Sequence, residues 1–270
     1  MANVQQGSET ALITGASSGI GEALARVFAA HGHDMILVAR SADKLEQLAD
    51  ELAARHDVIV SVRPMDLSEP GGAESLAKIL RREGQYVDIL VNNAGVLEHG
   101  LFVDMSPADH QRMVQLNVAG LTDILAHFVP DMVDRESGRI MNVASIGAFL
   151  PVPSLATYAA TKAYVLSLSE ALGEELRDHG VTVTALCPGI TETHMVTDKA
   201  SLLESLRHVR SIVVGDAETV ALEGYKACMK GAPIVVPGKF NLTSTLTSRA
   251  MPKWLVRRLS GLMGRSTLKE

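Results

Sequence analysis

Only two cysteines, Cys187 and Cys228, stand in a chain of 270 residues, far apart and without the short spacing of metal ligands. That excludes a disulfide framework and points to reduced thiols in a cytoplasmic protein. No run of about 18 uncharged apolar residues occurs, which argues against a membrane-spanning helix. The opening heptapeptide Met-Ala-Asn-Val-Gln-Gln-Gly has neither the basic start nor the apolar core of a secretory leader. An Asn241-Leu242-Thr243 match to a glycosylation acceptor is accordingly read as chance. Basic charge is also in short supply: 25 Lys and Arg against 31 Asp and Glu leave a net charge of −6 and no electrostatic reason to expect nucleic acid. Internal repeats, low-complexity stretches and linkers are missing too. At 47% apolar and 21% charged residues, the chain has ordinary globular composition, and one domain is the economical reading.

What is present is an alternation of short apolar runs and helical patterns. Strands are expected at Thr10 to Thr14, Met35 to Ala39, Val58 to Val62, Ile89 to Val91, Ile140 to Val143, Val181 to Leu186 and Ile234 to Val236. Helices are expected over Gly19 to Ala30, Ala42 to Arg55, Gly71 to Arg82, near 106–116 and 118–134, and over 155–178. Strand runs that are apolar without polar alternation indicate a parallel sheet covered on both faces, so the expected fold is α/β and doubly wound. Residues 190–214 carry no clear element, and 239–270 form a basic tail.

Three features bear chemistry. Gly15-x-x-x-Gly19-x-Gly21, with Ser17, Ser18 and Ile20 inside it, lies between a strand and a helix. Glycines there permit close approach of a phosphate, and the free N–H groups of the helix favour an anionic pyrophosphate. At the end of the second strand no acid stands to take a ribose 2′-hydroxyl. Arg40 stands there instead, with Ser41 beside it, a pair suited to a 2′-phosphate and hence to NADP(H). Tyr158 and Lys162 are i and i+4 on one helix face. A free tyrosine is a weak acid near pKa 10. Lys162, with a positively charged oxidised nicotinamide, is expected to lower that value and make Tyr158 a proton donor near neutral pH. Ser145, at the C-terminal edge of the fifth strand, is placed to hydrogen-bond the same substrate oxygen. His31 and His33, which flank a glycine at a helix end, are read as part of that helix terminus rather than as metal ligands.

On these residues the chain resembles the short-chain dehydrogenases/reductases over roughly 9–238. The T-G-x-x-x-G-x-G motif is matched at Thr14 to Gly21, N-N-A-G at 92–95, S…Y-x-x-x-K at Ser145, Tyr158 and Lys162, and the P-G after the sixth strand at Pro188-Gly189. The resemblance implies a single Rossmann-type domain with a mostly parallel seven-stranded sheet. It implies that Asp66, with Leu67 beside it, meets the adenine, and that Asn93, Ala94 and Gly95 line the cofactor ribose through their backbone. Tyr158 and Lys162 would also contact the cofactor. Asn117 would hold a water that links Lys162 to solvent. Pro188, Gly189 and a hydroxyl from Thr193 or Thr191 would meet the nicotinamide end.

The implied activity is hydride transfer between NADP(H) and a carbonyl or secondary alcohol, with no metal. The substrate is expected to be apolar, enclosed by a lid at about 190–214 (Met195, Leu202, Leu203, Leu206) and by Leu97, Phe149 and Val152. A cofactor-binding regulator without turnover is the alternative from another class, and the proton-transfer residues argue against it. Residues 251–264 place Leu255, Leu259, Leu262 and Met263 at helical spacing among Lys253, Arg257 and Arg258, with Arg265 just beyond. That tail is expected to dock on its own domain or a sister subunit. Contact with a membrane surface, serving lipid-like ketoacyl or steroid substrates, is the other reading. Tyr164, Leu168 and Leu172 form a second apolar side on the long helix. A homodimer or homotetramer built on that helix and its neighbour near 118–134 is therefore expected.

Overall fold

The structure is a computed structural model, and it describes residues 8–189, 191 and 215–238. The strands are β1 (Thr10–Thr14), β2 (Asp34–Ala39), β3 (Val60–Pro64), β4 (Ile89–Asn92), β5 (Gly138–Val143), β6 (Val181–Leu186) and β7 (Ile234–Val235). They form one seven-stranded sheet in the order β3-β2-β1-β4-β5-β6-β7, with every pairing parallel. The helices are α1 (Gly19–Ala30), α2 (Ala42–Arg55), α3 (Gly72–Arg82), α4 (Pro107–Val114), α5 (Leu121–Asp134), α6 (Ala156–Glu175) and α7 (Ala217–Met229).

The continuous apolar runs have a simple cause. Successive strand side chains point to opposite faces, and here both faces are covered. In β1, Ala11 and Ile13 pack with α1, α2 and α7, whereas Leu12 packs with α3, α5 and α6. Polar alternation would put a polar group into one core or the other. Strand order reverses between β1 and β4, and the crevice outside the C-terminal ends of the strands at such a point is where ligands bind in open α/β sheets.

Four features differ from the sequence-based expectation. The helices expected near 106–116 and 118–134 are one continuous rod, joined by a π-helical stretch at Gln115–Gly120. The long helix ends at Glu175, followed by a 3₁₀ turn at Arg177–His179. Helix α7 was not foreseen. Leu168 and Leu172, the apolar side expected to meet a partner, are half-buried and pack in part against the core; Tyr164 is 39% exposed, with its hydroxyl 2.9 Å from Thr122 Oγ1. The expected lid residues Met195, Leu202, Leu203 and Leu206, Thr193 and the tail at 239–270 lie outside the described residues. Among the described residues, no helix is long and apolar enough to cross a membrane.

At the opposite end of the sheet, His33 is buried, with Nε2 3.1 Å from the Tyr225 hydroxyl and an edge-on contact to Phe28. Burial holds its pKa below the usual 6.5, against the pull of Glu9. The folded state therefore keeps His33 neutral where the unfolded chain would bind a proton. Its stabilisation is full above about pH 6.5 and is lost as pH falls through the lowered folded value, with a slope of at most about 1.4 kcal/mol per pH unit. Thermal melts from pH 7.5 down to 5 (about the range over which histidine titrates) should show a shallower pH dependence for His33→Gln than for wild type. Parallel curves would remove His33 from the account.

Candidate active site

The loop after β1 is tied to the β4 end by the Thr14 hydroxyl and the Asn93 amide. Thr14 Oγ1 donates to Val91 O at 3.3 Å and accepts from the backbone N–H groups of Asn93 and Ala94, each at 3.0 Å. Asn93 Nδ2 donates to Thr14 O at 3.0 Å and to Gly15 O at 3.2 Å. Gly15 adopts φ +67°, a left-handed conformation that suits glycine. Gly21 answers a closer constraint: a methyl there would lie 2.2 Å from Gly15 O and 2.4 Å from Asn93 Nδ2. Helix α1 begins after Ser18 with no side-chain cap on its free N–H groups. A glycine cradle opening on an uncapped helix start fits the pyrophosphate of a dinucleotide.

The adenosine end has matching features. Arg40, at the end of β2, has a side chain 73% exposed and reaches within 3.8 Å of Asp66 Oδ2. Asp66 accepts from Ser68 N at 2.9 Å and Ser68 Oγ at 2.6 Å. Burial works to raise its pKa, but these bonds and Arg40 outweigh it, so the carboxyl sits below its usual value and is ionised at neutral pH. Ser41 occupies the N-cap position of α2 without capping it through its side chain. The Leu67 side chain belongs to the core, and its carbonyl lies close to Gly120, where an added methyl would come 2.5 Å from it.

Around the β5 end, Ser145 caps a 3₁₀ turn at Ile146–Phe149, its Oγ accepting from Gly147 N at 3.0 Å. The Ser145 proton stays available to the Tyr158 oxygen, and that hydrogen bond pulls the Tyr158 pKa down. Burial pulls harder the other way and pushes it up to about 12. Lys162 is buried, its ammonium donating to Val143 O at 2.7 Å and lying 5.8 Å from the centre of the Tyr158 ring. Burial lowers its pKa to about 8, with Cys187 working in the opposite direction.

The expected depression of the Tyr158 pKa by Lys162 is thus not produced by the protein alone. The i,i+4 spacing puts the two side chains on one face, but the ammonium hydrogen-bonds a β5 carbonyl and the phenol hydrogen-bonds Ser145. Tyr158 keeps its proton throughout the neutral range.

Asn117 lies in the π-helical stretch and is buried. Its Oδ1 accepts from Val96 N at 2.8 Å, while Nδ2 donates to Val96 O at 2.9 Å and to Thr161 Oγ1 at 3.1 Å. Both amide hydrogens are thus engaged within the protein. A methyl on Gly95 would come 3.1 Å from Asn117 Oδ1 and 3.5 Å from Lys162 Nζ, which shows how closely the three positions converge. At the β6 end, Pro188 O accepts from Ile146 N at 2.9 Å, and Thr191 is buried, its Oγ1 donating to Gly189 O at 3.2 Å. Thr14 and Thr161 had no assigned role in the sequence reading. Thr14 opens the glycine motif and Thr161 lies inside the Tyr158–Lys162 pair, but the Asn93, Ala94 and Asn117 groups that meet their hydroxyls come from other elements and leave no local signal.

The sequence matches the short chain dehydrogenase family over residues 9–203. Oxidoreductase UcpA of Salmonella typhimurium is 40% identical over 188 residues, covering 69% of this chain and 71% of that protein. A short-chain dehydrogenase from Sphingobium yanoikuyae, solved in complex with NADPH, has a TM-score of 0.78 at 33% identity, covering 86% of this chain and 88% of that one. L-Sorbose reductase from Gluconobacter frateurii, complexed with NADPH and L-sorbose, has a TM-score of 0.78 at 28% identity, with coverage of 86% and 96%. With the family match spanning most of the chain and the same all-parallel sheet beneath it, the chain belongs to the short-chain dehydrogenase/reductase family of nicotinamide-dependent oxidoreductases.

Proposed function

We propose that the protein is an NADPH-dependent reductase of ketones or aldehydes, running in reverse as an alcohol dehydrogenase. The observation that carries this reading is the convergence of the Ser145 hydroxyl, the protonated Tyr158 phenol and the buried Lys162 ammonium at the C-terminal edge of the sheet. When bound, the reduced nicotinamide supplies a hydride to the carbonyl carbon. Tyr158 gives its proton to the carbonyl oxygen, and Ser145 holds that oxygen by a hydrogen bond. Lys162 supplies the positive charge that favours the phenolate left behind. In the oxidative direction the phenolate takes the proton of the alcohol.

An apolar carbonyl compound suits the rim. Leu101, Phe102 and Val103, after β4, are 42%, 64% and 84% exposed, and Gly100 N donates to Ser154 O at 2.9 Å, tying that segment to the one before α6. Half-buried Leu97 and Val152 lie on the same two segments. NADPH consumption over a panel of ketones and aldehydes, from small polar sugars to bulky aromatics, tests the reading. Turnover of the apolar members supports it, and a flat panel with NADPH bound would leave the regulator reading in its place.

NADPH rather than NADH is favoured by Arg40 and by the NADPH in the two related structures. The 3.8 Å pairing with Asp66 is solvent-exposed and weak, so a 2′-phosphate can recruit the guanidinium at small cost. Removing a charge-assisted contact costs about 1.5–3 kcal/mol, so Arg40→Ala should bind NADPH about ten- to hundredfold more weakly. NADH affinity should hardly change. Equal weakening of both cofactors, measured by fluorescence titration, would make Arg40 a structural residue and leave the choice of cofactor open.

A further inference from the structure

Between the two residues of the proton-transfer pair lies a third buried polar group, Thr161, 3% exposed. Its Oγ1 donates to Tyr158 O at 2.7 Å and accepts from Asn117 Nδ2 at 3.1 Å. Asn117 in turn grips both the N–H and the C=O of Val96, at 2.8 and 2.9 Å. Val96 continues the Asn93-Ala94-Gly95 backbone at the end of β4. One hydroxyl therefore closes a chain from the strand end, through the π-helical stretch, to the first turn of α6.

We propose that Thr161 is a positioning residue that locks the Tyr158 turn of α6 to the Gly95–Val96 backbone through Asn117, and so fixes where the phenol stands relative to the bound cofactor. The inference rests on the reductase reading for its effect on turnover, but its geometry concerns this chain alone. Threonine in a helix commonly bonds a carbonyl three or four residues back, and the usual outcome is a slightly weaker, bent helix. Here the same hydroxyl also accepts a hydrogen bond from another element, which turns a local habit into a tie between segments. Proton transfer demands placement to fractions of an ångström, and supports that lie behind the reacting group set it.

The test compares Thr161→Val, which keeps the shape and loses the hydroxyl, with Thr161→Ser, which keeps the hydroxyl and loses the methyl. Three readouts are needed: kcat and KM with a carbonyl substrate, NADPH affinity, and the ring-carbon NMR resonance of Tyr158 with and without NADP⁺. With four tyrosines in the chain, Tyr158→Phe assigns the signal. Thr161→Val should lower kcat about ten- to hundredfold while KM and NADPH affinity stay within about threefold. Its Tyr158 resonance should shift or double, as the ring loses its single position against Ser145. Thr161→Ser should behave as wild type in all three. Wild-type kcat with an unmoved resonance in Thr161→Val overturns the proposal, and so does a Ser variant that fails alongside Val, since shape would then be what matters. If Thr161→Val does not fold, Thr161→Ala against Thr161→Ser carries the same comparison. Should the wild-type protein bind NADPH yet reduce no carbonyl, the functional reading falls. The Tyr158 resonance then decides the positioning claim alone: a change in Val reversed in Ser supports it, and none overturns it.

Discussion

Tyr158→Phe is expected to lower kcat by about 10²–10⁴-fold, the range for loss of a positioned general acid, while NADPH affinity stays within about threefold. The ring keeps its packing, so the change isolates one O–H. Burial holds that phenol neutral, with its pKa pushed up to about 12 despite the Ser145 hydrogen bond. A high value in the protein alone suits reduction, because the proton is present over the whole neutral range and leaves only when negative charge grows on the substrate oxygen. Lys162, brought down to about 8 by burial, is still mostly charged at neutral pH and can answer the phenolate as it forms. Removing the phenol leaves the substrate oxygen with Ser145 as its remaining partner from this group, and Ser145 has no acidic proton to give up. Stopped-flow measurement of NADPH oxidation with the best substrate of the carbonyl panel checks the prediction. Near-normal turnover would show that the proton comes from elsewhere.

Much of the frame was legible because burial on both faces keeps the strands mostly apolar, with Asn92, Asn142 and Thr184 among the buried polar exceptions. The bounds of β1, β6, α1 and α2 coincide with the apolar and helical patterns read from the sequence. Helix α7 escaped because it follows residues with no rhythm and contains Gly224. Yet its Asp216 cap and its buried Val220, Ala221, Tyr225 and Cys228 were there to be read. Gly224 has a packing reason: a methyl there would come 2.9 Å from Leu186 Cδ2, so glycine lets the helix lie close to β6. The site motifs were legible as a set, but the ties among them were not. The Thr14–Asn93 bonds span 79 residues and the Asn117–Thr161 bond spans 44. Periodicity says which way a side chain faces on its own element and nothing about what comes to meet it. The same gap explains Lys162: its spacing from Tyr158 was visible, while the Val143 carbonyl that takes its ammonium becomes visible only once β5 is set beside α6.

Gly21→Ala should do the most damage of any single-methyl change in the cofactor region. The new carbon would sit 2.2 Å from Gly15 O and 2.4 Å from Asn93 Nδ2, and the first of these is backbone that no rotamer change can clear. Relief requires moving the β1–α1 loop away from α1, which pulls Gly15 off the Asn93 amide and breaks its 3.2 Å bond. Overpacking of this kind costs about 1–3 kcal/mol of stability, and in a chain of this size each kcal/mol lowers Tm by about 2–4 °C. The effect on the cofactor should be larger than the effect on the fold, because the displaced segment is the surface the pyrophosphate would meet. A loss of about 2.7 kcal/mol or more in binding, roughly a hundredfold in NADPH affinity, is expected. Gly173→Ala provides the control. It lies inside α6 with Val183 at an ordinary 3.8 Å from the added methyl, and alanine is favoured over glycine in a helix by about 0.5–1 kcal/mol. That variant should melt at or above the wild-type temperature and bind NADPH unchanged. Calorimetric titration of both variants decides the matter: wild-type affinity in Gly21→Ala would mean that the dinucleotide does not rest on this loop, and the cofactor assignment built on it would fail.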